Sequence, residues 1–201
     1  YDALHRLKVS NQTMEALRNR AQAYIGTLHR EFPDERIEME YFLYSLTNSY
    51  KREQLIRELL EYGLVIYGPN SWFPFLGETY ANRLKGWVPL EELPDVYASA
   101  DVVLNMHSLQ CPTCLNCRDF DVLAAGGCLL TDWVEDVEQG YITPGSDCVV
   151  FHHVNQMKDA VERLLSNPEE RAAIRETGHQ TYLQSHTPRR RAETILETMK
   201  A

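Results

Sequence analysis

With 201 residues, 44% of them hydrophobic and 24% charged, the chain has an ordinary globular composition and enough length for one large domain with helical attachments. A net charge of -9 argues against non-specific nucleic-acid binding, which needs clustered Lys and Arg. No apolar run approaches the ~20 residues that a membrane helix requires.

Residues 3–31 read as a helix. Leu4, Leu7, Met14, Leu17, Ala21, Tyr24, Ile25 and Leu28 share a stripe that Pro33 interrupts. A second helical stretch, 34–46, carries Tyr41, Phe42 and Tyr44 and reads as a packing helix. Asn48 or Ser49 can cap a third, 50–62, which turns Leu55, Ile56, Leu59 and Leu60 inward and ends at Gly63. Residues 64–67 form a short β-type run closed by the turn signal Gly68-Pro69-Asn70. Gly86-Trp87-Val88-Pro89 is a second short strand or a loop. Residues 90–99 predict a short helix with Pro94 near its first turn, and 101–106 (DVVLNM) an apolar strand.

The stretch 115–132, LNCRDFDVLAAGGCLLTD, is the organising segment of the chain. It passes from polar groups to small apolar ones, through Gly126 and Gly127, into the apolar run 128–131. That predicts a loop, a helix, a glycine turn and a buried strand. A helix start exposes unpaired N–H groups and a positive dipole end, so it favours anions, and Arg118 adds a donor fork suited to phosphate. Residues 133–140 predict a short helix, 148–151 a last strand, and the chain from Val154 onward is helical. Asn167-Pro168-Glu169-Glu170 is a strong helix-start signal, and Thr187-Pro188 repeats the device before a final helix.

Short buried strands alternating with helices imply a parallel sheet covered on both faces, with ligands at the carboxyl ends of the strands. The expected architecture is α/β: a Rossmann-like domain over 49–186, a helical segment or bridge over 1–48, and a C-terminal helix over 187–201. The five cysteines do not form a secreted disulfide framework, so a cytoplasmic location is expected. The start at Tyr1, without Met, is expected of a piece cut from a longer protein.

Several blocks in order, GWVPLEELPDVYASADVVLN, LNCRDFDVLAAGGCLLTD, SDCVVFHH, NPEERAAI and SHTPRRRAETIL, resemble the C-terminal domain of glycosyltransferases related to the spore-maturation protein CgeB. The resemblance spans roughly residues 50–196 and implies one half of a GT-B fold: a Rossmann-like domain that holds a nucleotide-diphosphate sugar. It implies a hexosyltransferase-type activity toward an acceptor bound by a further, N-terminal domain of the same protein. It implies neither a cofactor nor a metal. The family block Asn-x-Arg-x-Phe-(Glu or Asp) falls on Asn116, Arg118, Phe120 and Asp121. By that resemblance Arg118, with Asn116 and Arg52, meets the donor phosphates, and Asp121 holds the ribose hydroxyls, which a carboxylate can accept together. Gly86 and Trp87 border the base. Gly68 and His107, each just past a strand, stand where base, sugar or phosphate would be met. Related retaining enzymes carry a second acid eight residues before the ribose acid, where this chain has Thr113.

Each residue also has a plainer reading. Arg118 can form a surface salt bridge with Asp119 or Asp121, Asp121 can answer the helix dipole, and Arg52 can sit on a solvated face. Trp87 can be a packing residue, and His107 a hydrogen-bonded loop histidine. Two further functional classes are open to the chain. One is a non-catalytic Rossmann-like module that has lost turnover, to which Thr113 points. The other is a metal domain built on Cys111, Cys114 and Cys117 with Cys128 or His107 as fourth ligand.

Overall fold

The computed structural model describes residues 39–108 and 113–200. The expected helix 3–31, the start of the stretch 34–46 and Cys111 lie outside the described residues.

The chain enters on α1, Met39–Leu59, a continuous helix of 21 residues. The expected break at Asn48 and Ser49 does not occur. Ser49 donates its hydroxyl back to the Ser45 carbonyl at 2.9 Å, and Asn48 reaches across to Ser108 Oγ at 3.0 Å. With both side chains satisfied, neither competes for the backbone, and a mid-helix Ser or Asn costs only about 0.5 kcal/mol against Ala. A 3₁₀ turn, Leu60–Tyr62, comes next, and Gly63 ends it at φ 80°, the left-handed region.

The run 64–67 does not join the main sheet. It pairs in parallel with the segment around Leu84 through a bridge at Ile66, with Gly68 N–H donating to the Gly86 carbonyl at 2.8 Å. Helix α2, Leu93–Ser99, starts with Pro94 in its first turn and leads to strand β1, Val103–Asn105. Helix α3, Cys117–Ala124, crosses to β2, Leu129–Asp132, and β3 is Val149–Phe151. The expected helix at 133–140 is a 3₁₀ turn, Glu135–Gln139. The three strands form one parallel sheet in the order β1-β2-β3, with Val103 beside Leu129 and Leu130 beside Val149. Helices α4, Val154–Ser166, α5, Pro168–Thr181, and α6, Pro188–Thr198, complete the chain. Asn167 and Thr187 cap α5 and α6 with their side chains, as the Asn-Pro and Thr-Pro signals predict.

Alternation along β2 explains why helices cover both faces. Leu129 packs with Val122 and Leu123 of α3 and with Val134, Val137 and Ile142. Its neighbour Leu130 points the other way, into Leu55 and Leu59 of α1 and Met157, Val161 and Leu164 of α4. Among the described residues no helix is long and apolar enough to cross a membrane.

Two glycines set how closely these layers approach. A Cβ on Gly178 of α5 would lie 2.6 Å from the Asp147 carbonyl oxygen and 2.7 Å from Leu123 Cδ2. A Cβ on Gly127 would lie 2.9 Å from the Tyr97 carbonyl oxygen. Gly178→Ala is therefore expected to destabilise by about 1–3 kcal/mol, because backbone cannot yield as a side-chain tip can. A urea midpoint that falls with an unchanged slope is the expected readout.

Candidate functional site

The carboxyl ends of β1 and β2 turn polar where the strands leave their apolar core. Asn105, His107, Asp119, Thr131, Asp132 and Lys51 are all buried there. Buried polar groups must find partners, and these find one another. Asp119, in the first turn of α3, is the hub. It accepts from Asn105 Nδ2 at 2.6 Å, Thr131 Oγ1 at 3.0 Å and the Asn116 amide at 2.8 Å, and it lies 2.8 Å from His107 Nε2. The other ring nitrogen of His107 lies 2.8 Å from Asp132 Oδ1, which also accepts from the His107 amide at 2.7 Å. Lys51 of α1 closes the chain, 2.5 Å from Asp132 Oδ2 and 3.0 Å from the His107 carbonyl oxygen.

An ionised carboxylate only accepts hydrogen bonds, so a ring held between two of them carries a proton on each nitrogen. His107 is thus an imidazolium. Burial alone would lower its pKa, but the hydrogen bonds to Asp119 and Asp132, with their negative charges, outweigh it and raise the value to about 9. Burial would likewise raise the Asp132 carboxyl, but the His107 hydrogen bond and the Lys51 charge hold it below its ordinary value. Lys51 and His107 balance Asp119 and Asp132, so the cluster is neutral as a whole, the condition under which buried charge is tolerated.

This arrangement changes what the start of α3 offers. Asn116 accepts from the Arg118 amide at 2.9 Å, and Asp119 accepts from the Asn116 amide, a capping box. The positive end of the helix is met from inside the protein by Asp119. Arg118 and Asp121 are exposed on the same turn, and Arg118 forms no ion pair among the described residues. The loop entering the helix is clasped to the turn after β2. The Asp136 amide donates to the Thr113 carbonyl at 2.8 Å, and Asp136 Oδ2 accepts from the Leu115 amide at 3.1 Å. From the other side, the Arg191 guanidinium of α6 lies 4.3 Å from the Phe120 ring centre.

The remaining residues singled out in the sequence fall in two places. His107 and Asn116 are members of the buried network. Gly68 and Gly86 are joined by their backbone hydrogen bond, and Trp87 beside them is 79% exposed rather than packed. Arg52 is half-buried on α1, immediately after Lys51, the cation that enters the network.

Sequence reasoning missed Lys51, Asn105, Asp119, Thr131 and Asp132. Three carried a usable signal. Lys51 stands four and eight residues before the inward-facing Leu55 and Leu59, on an apolar stripe where a lone cation needs a buried partner. Asp119 completes the Asn-x-x-Asp spacing of a capping box, and Asp132 ends an apolar strand at its carboxyl edge.

Cys114 and Cys117 are free thiols, half-buried and exposed. Cys128, offered by the sequence as a fourth metal ligand, lies instead in the apolar layer with Leu130 and Met157, where burial raises its thiol to about 11. Among the described residues no group of three or more His, Cys, Asp or Glu side chains is disposed to hold a metal ion.

A family model described as glycosyl transferase-like matches residues 51–197. The match begins at Lys51 and spans the whole network, α3 and the sheet. No curated protein matches the chain.

Proposed function

The chain belongs to the glycosyl transferase-like family, and from that premise we propose that it is the donor-binding half of a GT-B-type enzyme akin to the CgeB-like group. The donor is a nucleotide-diphosphate sugar. Its glycosyl group passes to an acceptor bound by a separate N-terminal domain, with 49–186 as the donor domain, 1–48 as a bridge and 187–201 as a terminal helix.

One observation carries this reading. Arg118 and Asp121 leave the first turn of α3 outward, from a helix start fastened to the carboxyl ends of β1 and β2. Ligands of parallel sheets bind at that edge. Arg118, free of protein carboxylates among the described residues, is available to hold a diphosphate, and Arg52 and Asn116 stand on the flanking helix and the cap. The Asp121 carboxylate can accept both ribose hydroxyls. On this reading the base is met by Gly68, Gly86 and the exposed Trp87. As the bond from sugar to phosphate breaks, negative charge grows on the departing diphosphate, and a fixed guanidinium stabilises it.

Thermal unfolding with UDP-, GDP- and ADP-sugars tests the reading. At about 100 times Kd, the matching donor stabilises by about 2.7 kcal/mol, a shift of several degrees. Arg118→Ala is expected to abolish that shift while leaving the ligand-free unfolding temperature unchanged. No shift with any nucleotide counts against a donor site. A shift without glycosyl transfer, in a protein carrying its acceptor domain, is what a non-catalytic module predicts.

A further inference from the structure

Resting on the donor-site reading, we propose that His107 is a positioning residue of that site: its ring cross-links the start of α3, which carries Arg118 and Asp121, to β2 and, through Asp132, to Lys51 of α1.

The geometry excludes a catalytic role. His107 is 3% exposed, and each ring nitrogen lies 2.8 Å from a carboxylate oxygen. It has no nitrogen left for a ligand. It is a spacer of fixed length between Asp119 and Asp132. Asp119 lies between Arg118 and Asp121 in the sequence, and the helical turn sends it inward while those two stay exposed. Whatever holds the Asp119 carboxylate therefore sets where the Arg118 and Asp121 side chains begin. Four bonds hold it, and three come from the strands or the loop that follows β1: Asn105, Thr131 and His107. Only His107 extends the connection to a second carboxylate and a second helix.

The link depends on charge. A neutral imidazole donates from one nitrogen only, so one carboxylate would face a bare lone pair. The charged groups facing the ring are Asp119 from α3 and Asp132 from β2, with Lys51 from α1 on the far side of Asp132. Asn105 and Thr131 add neutral donors. Losing the ring's proton would leave Asp119 held by neutral groups alone.

Hydrogen exchange on the intact chain, with and without His107→Gln, separates positioning from general stability. Glutamine keeps one N–H donor group and removes the charge. At a temperature where the variant stays folded, amides of residues 113–124 should exchange roughly tenfold faster, while those of α4 and α5 keep wild-type rates. Nucleoside diphosphate affinity should fall at least roughly tenfold. Wild-type exchange at 113–124, or uniform acceleration along the chain, overturns the proposal. Should the variant not fold, nitrogen NMR of the wild-type ring decides: two protonated nitrogens near neutral pH support it, and a bare nitrogen overturns it. A wild-type protein that binds no nucleotide overturns the donor reading and the purpose assigned to His107. That failure is recognisable because it appears without any mutation.

Discussion

Asp119→Ala is expected to destabilise the protein by about 3–5 kcal/mol, the usual cost of removing one partner from a buried ion pair. The carboxylate is fully buried, so no water replaces it. Its loss leaves the His107 cation facing Asp132 alone, strips the partner from Thr131 Oγ1 and the Asn116 amide, and leaves Asn105 Nδ2 with Asn116 Oδ1 only. Each abandoned donor adds a desolvation cost of about 1–3 kcal/mol unless the site collapses around it. The capping box also disappears, and with it the helix-start carboxylate that answers the α3 dipole. Asp119→Asn should fall between wild type and Ala, since one amide oxygen still accepts. Urea unfolding near neutral pH measures all three. An Ala variant within about 1 kcal/mol of wild type would mean that apolar packing, not this network, fastens α3.

Stability should also decline on the alkaline side of neutrality, and His107 sets the window. Its folded pKa is raised from 6.5 to about 9. The stabilisation is therefore fully present below about 6.5 and is lost as pH rises through about 9, where folded and unfolded chains bind the same protons again. The shift corresponds to something on the order of 3 kcal/mol. Asp132 acts in the opposite direction. Its pKa is lowered from 3.8, so its contribution is present above that value and fades as pH falls through its lower folded value. Urea midpoints should be highest in mildly acidic to neutral solution and fall toward about pH 9. His107→Gln should flatten the alkaline limb. An equal slope in the variant would assign the decline to other groups.

The elements that the chain's periodicity shows most clearly, β1, α3, β2, β3 and helices α4 and α5, are those whose apolar residues fill the two layers on either side of the sheet. Leu129 and Leu130 need helices on opposite faces, and the alternation of short strands with helices states that requirement directly. The cap at Asn48 or Ser49 failed because local capping chemistry lost to tertiary partners: Ser108 and the Ser45 carbonyl take those side chains. The run 64–67 has strand composition, but its pairing with the segment around Leu84 is a matter of neighbours, which local pattern does not record.

The exposed half of the candidate site, Arg118 and Asp121, lies in one contiguous block of sequence, which is why local pattern alone could single it out. The buried half does not. Lys51, His107, Asp119 and Asp132 come from four separate segments, and only the fold brings them within hydrogen-bonding distance. His107 shows the difference best. Past a strand end it reads as a group that could meet a ligand, yet two carboxylates enclose it.

The claim that the start of α3 receives the donor is tested most directly by mapping hydrogen exchange with and without a saturating nucleoside diphosphate. Protection is predicted across residues 113–124, together with the segments around Gly68 and Gly86, and should vanish in Arg118→Ala. Protection confined to a different surface, such as the open hollow beside Pro168, Arg171 and His179, or no protection anywhere, would contradict the account.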